Sequence, residues 1–400
     1  MGAFEFYQEK GLQRKLFLPA LVVSNFSVWL ITVTNSLLLI EIANTFEVSV
    51  GTASLMVTVG SVTGIVTGIL TSILSIRYEH KLLMISGLLA TAMAGAGLYL
   101  APTFGLLLLV NIGVGFGIAV TGSMAYSLVG EFYPLEKRGR AIGWLVAGAI
   151  LASVVGAPVS AVIASIGTWR LVMLSFIFPI AVFSIALSIG AIPKPSDESQ
   201  AVQAEPFLAG CRQTSSNPSA IATLLVGMFA MAESTIGFYL VSFFRTQFAI
   251  SVEVGSLVVV VGNLLSAAGG VVGGTLVNRV GRKPLGLIAG FLAALLTLTF
   301  AFMPTFETSW GLNALRFWFA GMSFTAGGSL VIEQVPKFRG TVTSLNGAFV
   351  NAGMLLASIT GGIALNLYSY QTIAVLLGSF GVIGTVIWIL LVRDPCRIKA

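Results

Sequence analysis

The sequence predicts an all-α membrane protein: twelve transmembrane helices in two pseudo-symmetric six-helix bundles. Three observations carry this expectation. Of 400 residues, 56% are hydrophobic and only 9% charged, where a soluble domain carries about 25% charge. The apolar residues gather into twelve long runs. Three loop landmarks of the first half recur, in order, in the second.

The composition comes first. A soluble chain of this length needs a charged exterior, and that exterior is missing, so most of the surface is expected to face lipid. Cys211 and Cys396 are the only cysteines and stand far apart, which implies no disulfide framework. His80 is the only histidine, so no metal cluster is expected around it. The net charge of +6 comes from residues scattered through short loops. They form no basic stripe, and nucleic acid is not an expected partner.

A helix needs roughly 20 apolar residues to cross the bilayer core. The runs cover residues 16–43, 51–76, 82–100, 106–129, 141–166 and 171–192, then 221–244, 255–277, 285–303, 310–332, 342–367 and 372–392. Only helices satisfy their own backbone in lipid without closing a barrel, so each run is read as a helix. The first run is longer than a signal-peptide core and is read as the first span. Between the halves lies the longest polar stretch, rich in Pro, Ser and charge. The expected division is therefore a bundle over 1–192, a linker over 193–219 and a bundle over 220–400.

Lysine and arginine set the expected orientation. An even number of spans puts both termini on one side. The loops of that side would hold 18 of the 21 basic residues, all but Arg170, Arg245 and Arg316. This asymmetry predicts cytoplasmic termini in a cell (inner) membrane. It also checks the span count, because one missed helix would scramble it.

The repeat is legible at an offset of about 202 residues. Phe46, Ser49 and Val50 match Phe248, Ser251 and Val252. Arg77 and Lys81 match Arg279 and Lys283. Glu131 and Pro134, followed by Arg138 and Gly139, match Glu333 and Pro336, followed by Arg339 and Gly340. Parallel six-helix repeats with a solute site between them are a recurrent transporter plan.

These residues resemble the major facilitator superfamily over nearly the whole chain. The stretch from Gly274 to Lys283 is similar to the family's loop G-x-L-x-D-R-x-G-R-K, with Asn278 where Asp is usual. Its first-half copy around Arg77 and Lys81 lacks both that Asp and the inner glycine. Gly148, Gly156, Pro158, Thr168, Trp169 and Arg170 look like a degraded antiporter motif of efflux members. Asn111 stands near the place where those members carry a basic residue in span four. The resemblance implies the major facilitator fold, with spans one, four, seven and ten lining a central cavity. It implies a cytoplasmic latch in which Arg77, Lys81, Arg279, Arg282 and Lys283 meet acids at helix ends, here Glu131 and Glu333. The plainer reading of these basic residues is topology alone.

Glycines recur every fourth residue in span two (Gly60, Gly64, Gly68) and as pairs in span eight (Gly269, Gly270, Gly273, Gly274). That spacing lets backbones approach, either as static packing or as a sliding surface between bundles.

Charges inside spans are the sharpest signal, because lipid tolerates them only against a cavity or a partner. Glu233 lies about 12 residues into span seven, or ~18 Å deep at ~1.5 Å per residue. Arg316 lies about 6 residues into span ten from the opposite side, which leaves it ~21 Å from the first in a ~30 Å core. The two are expected at one depth, facing the cavity and paired. Burial favours a neutral carboxyl and a neighbouring arginine an ionised one, so the pair is either a structural bridge or a proton-gated switch.

Asn25, Trp29, Thr32 and Ser36 share one stripe of span one and are expected to touch the solute. Asn111, Tyr239 and Trp318 join them. Glu41 and Arg245, near the outer ends of spans one and seven, fit interfacial snorkelling or an outer gate.

The expected function is a secondary transporter that moves a small organic solute by alternating access, with proton-coupled efflux the leading form. An importer or uniporter of a small organic anion is the alternative, and a non-transporting sensor a third. No phosphate loop supports an ATP-driven pump. One histidine and no nucleophile motif argue against an enzyme. No cofactor is expected beyond a proton gradient. The expected partners are the solute and the lipid bilayer, with the chain a monomer.

Overall fold

The computed structural model describes residues 12–75, 77–193 and 207–395, and every apolar run within them is helical. Lys10, Lys194, Cys396, Arg397, Lys399, most of the expected linker and the side chains of Asn278 and Arg339 lie outside the described residues. The spans are Gln13–Leu37, Val50–Thr71, His80–Leu100, Phe104–Phe132, Lys137–Ile166 and Trp169–Ala191, then Pro218–Phe248, Val252–Val277, Arg282–Phe300, Phe306–Gln334, Gly340–Leu367 and Tyr370–Leu391. They are called spans one to twelve below. Eleven are both long and apolar enough to cross a membrane. Span ten, Phe306–Gln334, is as long as span four but more polar, with Glu307, Arg316 and Glu333 along it.

Local chemistry explains where the helices deviate. Proline lacks an N–H and collides with the carbonyl four residues back. A π-helical turn over Ala152–Gly156 precedes Pro158 in span five, and another over Met173–Ile177 precedes Pro179 in span six. Such turns insert one residue into the helical ladder and absorb the misfit. Span seven is interrupted at Thr235, between helices Pro218–Ser234 and Ile236–Phe248. The Thr235 hydroxyl donates to the Met231 carbonyl at 2.8 Å, a back-bond that bends helices.

The chain divides into two compact units, one of Met1–Phe46 and Val59–Ala204, the other of Glu47–Thr58 and Glu205–Ala400. In the first, Phe17, Leu21, Met84, Leu88, Leu128, Phe132 and Leu145 form a buried core. Phe17 and Phe132 meet edge to face at 5.3 Å. Paired hydroxyls stitch its spans: Ser24 with Ser188 at 3.1 Å and Thr34 with Ser160 at 3.0 Å. Without a hydrophobic drive between helices in lipid, such bonds and close packing hold the bundle. Val66, Ile69, Leu109 and Val162 stand exposed on its outer faces, where lipid is their solvent.

In the second unit, spans eight and ten meet backbone to backbone. A Cβ on Gly269 would overlap the Trp318 carbonyl, and one on Gly321 the Ser266 carbonyl. The span-eight glycines thus serve packing within one unit. Gly60 in span two lies against Gly115 of span four in the same manner.

One element of the repeat closes each unit in the same way. Lys81 Nζ donates to the carbonyls of Ile189 and Ile192 at 2.8 and 2.5 Å. Lys283 Nζ donates to those of Ile389 and Val392 at 3.2 and 2.6 Å. Both lysines cap the C-terminus of the last helix of their unit, where unsatisfied carbonyls and the helix dipole favour a cation. The segment after span twelve is held further: Gln334 Nε2 donates to the Arg393 carbonyl at 2.9 Å, and the Arg393 N–H to Ser219 Oγ at 2.8 Å.

Candidate functional site

Span seven delivers Glu233 two residues before its interruption at Thr235, and span ten delivers Arg316. Their side chains are 5% and 1% exposed, and Arg316 Nη1 stands 3.5 Å from Glu233 Oε1. The same oxygen accepts from the Thr297 hydroxyl of span nine. Oε2 accepts from Ser234 Oγ at 3.4 Å. Arg316 Nε donates to Asn313 Oδ1 at 3.0 Å, one helical turn back, and its guanidinium lies 4.3 Å from the Phe317 ring centre. The Arg316 Nη2 and Asn313 Nδ2 atoms are buried without a hydrogen-bond partner. Removing charges from water costs several kcal/mol per ion, and the mutual attraction offsets this only with further hydrogen bonds. Here three spans supply them. The carboxylate accepts from two hydroxyls and the guanidinium, while two donors stay unfilled.

Glu233 also borders a cavity of about 120 Å³ lined by spans seven, nine, ten, eleven and twelve. Gly227, Gly290, Gly327, Gly328, Gly381 and Gly384 leave the space, and Thr223, Ser323, Asn346 and Thr385 give it polar edges.

The other expected contacts are distributed differently. Asn25 Nδ2 donates to the Leu145 carbonyl at 2.6 Å, so it ties span one to span five. Trp29 packs on the core of the first unit, and Thr32 beyond it is half-buried. Asn111 is buried and donates to the Leu107 carbonyl of its own helix at 2.8 Å. Trp318 packs against the cluster around Leu285 and Met322. Tyr239 is buried. Its hydroxyl donates to Ser54 Oγ at 3.0 Å and to the Ser358 carbonyl at 3.3 Å.

Of the expected latch residues, Arg77 and Arg279 are exposed. Among the described residues no ion pair joins Arg279 to Glu333, and Lys81 and Lys283 are the helix caps described above. Arg282 is half-buried with Nη1 unpartnered. Glu131 Oε2 meets His80 Nδ1 at 3.0 Å. Glu41 and Arg245 are half-buried near helix ends, where a cation such as Arg245 in a last turn interacts favourably with the dipole. Among the described residues no group of three or more His, Cys, Asp or Glu could hold a metal ion.

Sequence reasoning missed three groups. Asn313 was visible in principle, three residues before Arg316 on one helix face. Thr297 carried no local signal. The third is a polar clasp of the second unit: Ser49 Oγ donates to Asn366 Oδ1 at 2.5 Å, Asn366 Nδ2 to Thr52 Oγ1 at 3.3 Å, and Thr58 and Ser358 meet at 2.9 Å. Ordinary hydroxyls and one amide build it, so nothing in the sequence marks it.

Among the described residues, twelve long helices in two units, eleven of them long and apolar enough to cross a membrane, carry a buried ion pair beside an interrupted helix. The family model of the Major Facilitator Superfamily matches residues 19–317 and 222–398, and the chain belongs to that superfamily. A probable sugar efflux transporter of Helicobacter pylori is 31% identical over 133 residues, 33% of this chain and 34% of that protein. The counterpart from strain G27 is 33% identical over 134 residues. The match spans about a third of the length of these curated relatives. Among solved structures, a D-xylose–proton symporter superimposes with a TM-score of 0.74 at 16% identity, covering 94% of this chain and 98% of that one. A nucleoside transporter gives 0.75 at 16% identity, with 94% and 99% covered. An inward-facing bacterial homologue of the human lysosomal transporter Spinster gives 0.73 at 16% identity, with 96% and 97% covered. These likenesses establish the shared fold.

Proposed function

We propose that the chain is a secondary active transporter that exports a small organic solute by alternating access, driven by proton entry. One observation carries this reading: the Glu233–Arg316 pair, buried in the membrane beside the interruption of span seven. Intramembrane ion pairs mark coupling sites, and interrupted helices mark binding sites in transporters. A proton on Glu233 removes the charge that Arg316 faces, so the pair has two states of different stability. Efflux and a sugar-like solute are supported by the named relatives. The basic loops support an inner-membrane location with cytoplasmic termini, and the sequence division into bundles at 1–192 and 220–400 supports rocking of two monomer halves. Glu41 with Arg245, and Arg279 with the acids Glu131 and Glu333, are the proposed gating groups.

The test is flux of radiolabelled D-xylose and D-glucose in proteoliposomes under an imposed pH gradient. Gradient-dependent uptake that Glu233→Gln abolishes is the expected result. Flux indifferent to the gradient excludes proton antiport and favours a uniporter. In that case the unfilled Nη2 of Arg316 points to an anionic solute.

A further inference from the structure

The cavity beside Glu233 extends well beyond the ion pair. It runs from Glu233 and Ser234 to Thr223 near the start of span seven and Val392 just past the end of span twelve. Ten residues of helix separate Glu233 from Thr223, or ~15 Å. Its whole lining belongs to the second unit, and it ends where the basic loops lie.

One buried donor borders this space without a protein partner, and one carboxylate oxygen borders it with a single long hydrogen bond. Trp388 is 3% exposed and lines the cavity, and its Nε1 has no hydrogen-bond partner. A buried donor left unmet costs about 1–3 kcal/mol. Glu233 Oε2 has one contact among the described residues, the Ser234 hydroxyl at 3.4 Å. A water needs ~10–15 Å³ of such volume and two or more polar partners. The cavity has room for several waters, and Thr223, Ser323, Asn346, Thr385, Trp388 and Glu233 provide partners along its length.

We propose that this cavity is a water-filled proton path of the second unit, leading from Glu233 to the basic-loop side. The inference rests on the proton-coupled reading above. In the transfer, the O–H bond on Glu233 Oε2 breaks and a cavity water takes the proton as hydronium. The carboxylate left behind regains Arg316 as its counter-ion, the state seen here at 3.5 Å. The groups facing Glu233 are Arg316 from span ten, Thr297 from span nine and Ser234 from its own helix, while span twelve presents Gly381. Arg316 is the one charged group among them.

The experiment uses the full chain with Cys211 and Cys396 replaced by serine. Thr385→Cys places a thiol in the cavity wall, and Ile389→Cys, at a residue 50% exposed on the lipid-facing side, serves as control. The probe is the small, water-soluble methanethiosulfonate ethylammonium. Labelling at 385 about ten-fold faster than at 389 is expected, since thiol reactivity follows access and ionisation. Equal rates overturn the hydrated path. Adding Gly327→Val, whose Cβ would stand 3.6 Å from Trp388 in ordinary contact, is expected to return labelling at 385 to the control rate. Unaltered labelling would place the water elsewhere. In proteoliposomes, labelling Thr385→Cys is expected to slow pH-gradient-driven D-xylose flux about ten-fold, or ~1.4 kcal/mol in barrier. Unslowed flux overturns the proton's use of the cavity. Flux that ignores the gradient before any labelling removes the coupling itself, and the labelling ratio still decides hydration.

Discussion

Arg316→Met tests the buried pair most directly. The substitution keeps the unbranched stem up to about the Nε position and removes the charge that faces Glu233. Both partners are almost fully buried, at 1% and 5% exposure, so the remaining carboxylate loses its counter-ion inside the protein. Breaking a buried pair in this way costs about 3–5 kcal/mol. Adding Glu233→Gln removes the stranded charge; the glutamine carbonyl oxygen still accepts from Thr297, and its NH2 group can donate to Ser234 Oγ in place of Oε2. The remaining cost is an unfilled hydrogen bond, about 1–2 kcal/mol. A unit of this size shifts by roughly 2–4 °C per kcal/mol. The single variant is therefore expected to melt ~6–20 °C below the parent, and the double variant ~2–8 °C below. The assay is thermal unfolding in detergent, read by tryptophan fluorescence and by loss of the monodisperse peak. Equal losses in the single and double variants would refute the claim that the pair is a dependent charge couple.

Three further outcomes follow from other parts of the molecule. Lys283→Met strips two carbonyls at the end of span twelve of their cap and is expected to cost about 0.5–2 kcal/mol of thermal stability, with Lys283→Arg retaining most of it. Tyr239→Phe removes the donor to Ser54 and the Ser358 carbonyl, worth about 0.5–1.5 kcal/mol each at most; hydrogen exchange of the amides in Glu47–Thr58 is expected to quicken, and unchanged protection would show that the tyrosine does not hold that segment. Burial pushes the Cys211 thiol above its ordinary range, so its thiolate is scarce at pH 8 and grows as pH rises. With Cys396 changed to serine, maleimide should react with Cys211 more slowly than with a free peptide thiol at that pH, and a matching rate would contradict the burial.

The helices were legible because lipid allows few alternatives: a run of some twenty apolar residues has one way to satisfy its backbone. Glu233 and Arg316 stood out for the same reason, and depth along opposed helices was enough to bring them together. What the sequence hid were groups whose meaning depends on a neighbour from another helix. Asn25 and Asn111 stand out because polar residues are rare in spans, but the backbone carbonyl that each one's amide meets is not marked in the sequence. Lys81 and Lys283 looked like latch residues because they sit in a matching loop. Their ammonium groups reach the ends of helices over a hundred residues away, and no local pattern encodes that distance. The clasp of Ser49, Thr52 and Asn366 has the same character, being built from side chains too common to carry a signal.

The convergence at the end of span twelve sets a practical boundary for engineering. Lys283 holds Val392, while Gln334 and Ser219 hold Arg393. Spans seven, nine and ten are thus moored to one short stretch of backbone. A reporter or affinity tag fused after Pro395 leaves these moorings whole. A chain ended at Leu391 would lose these main-chain groups together, so a truncation that fails there reports on the cut and says nothing against the capacity of the rest to fold.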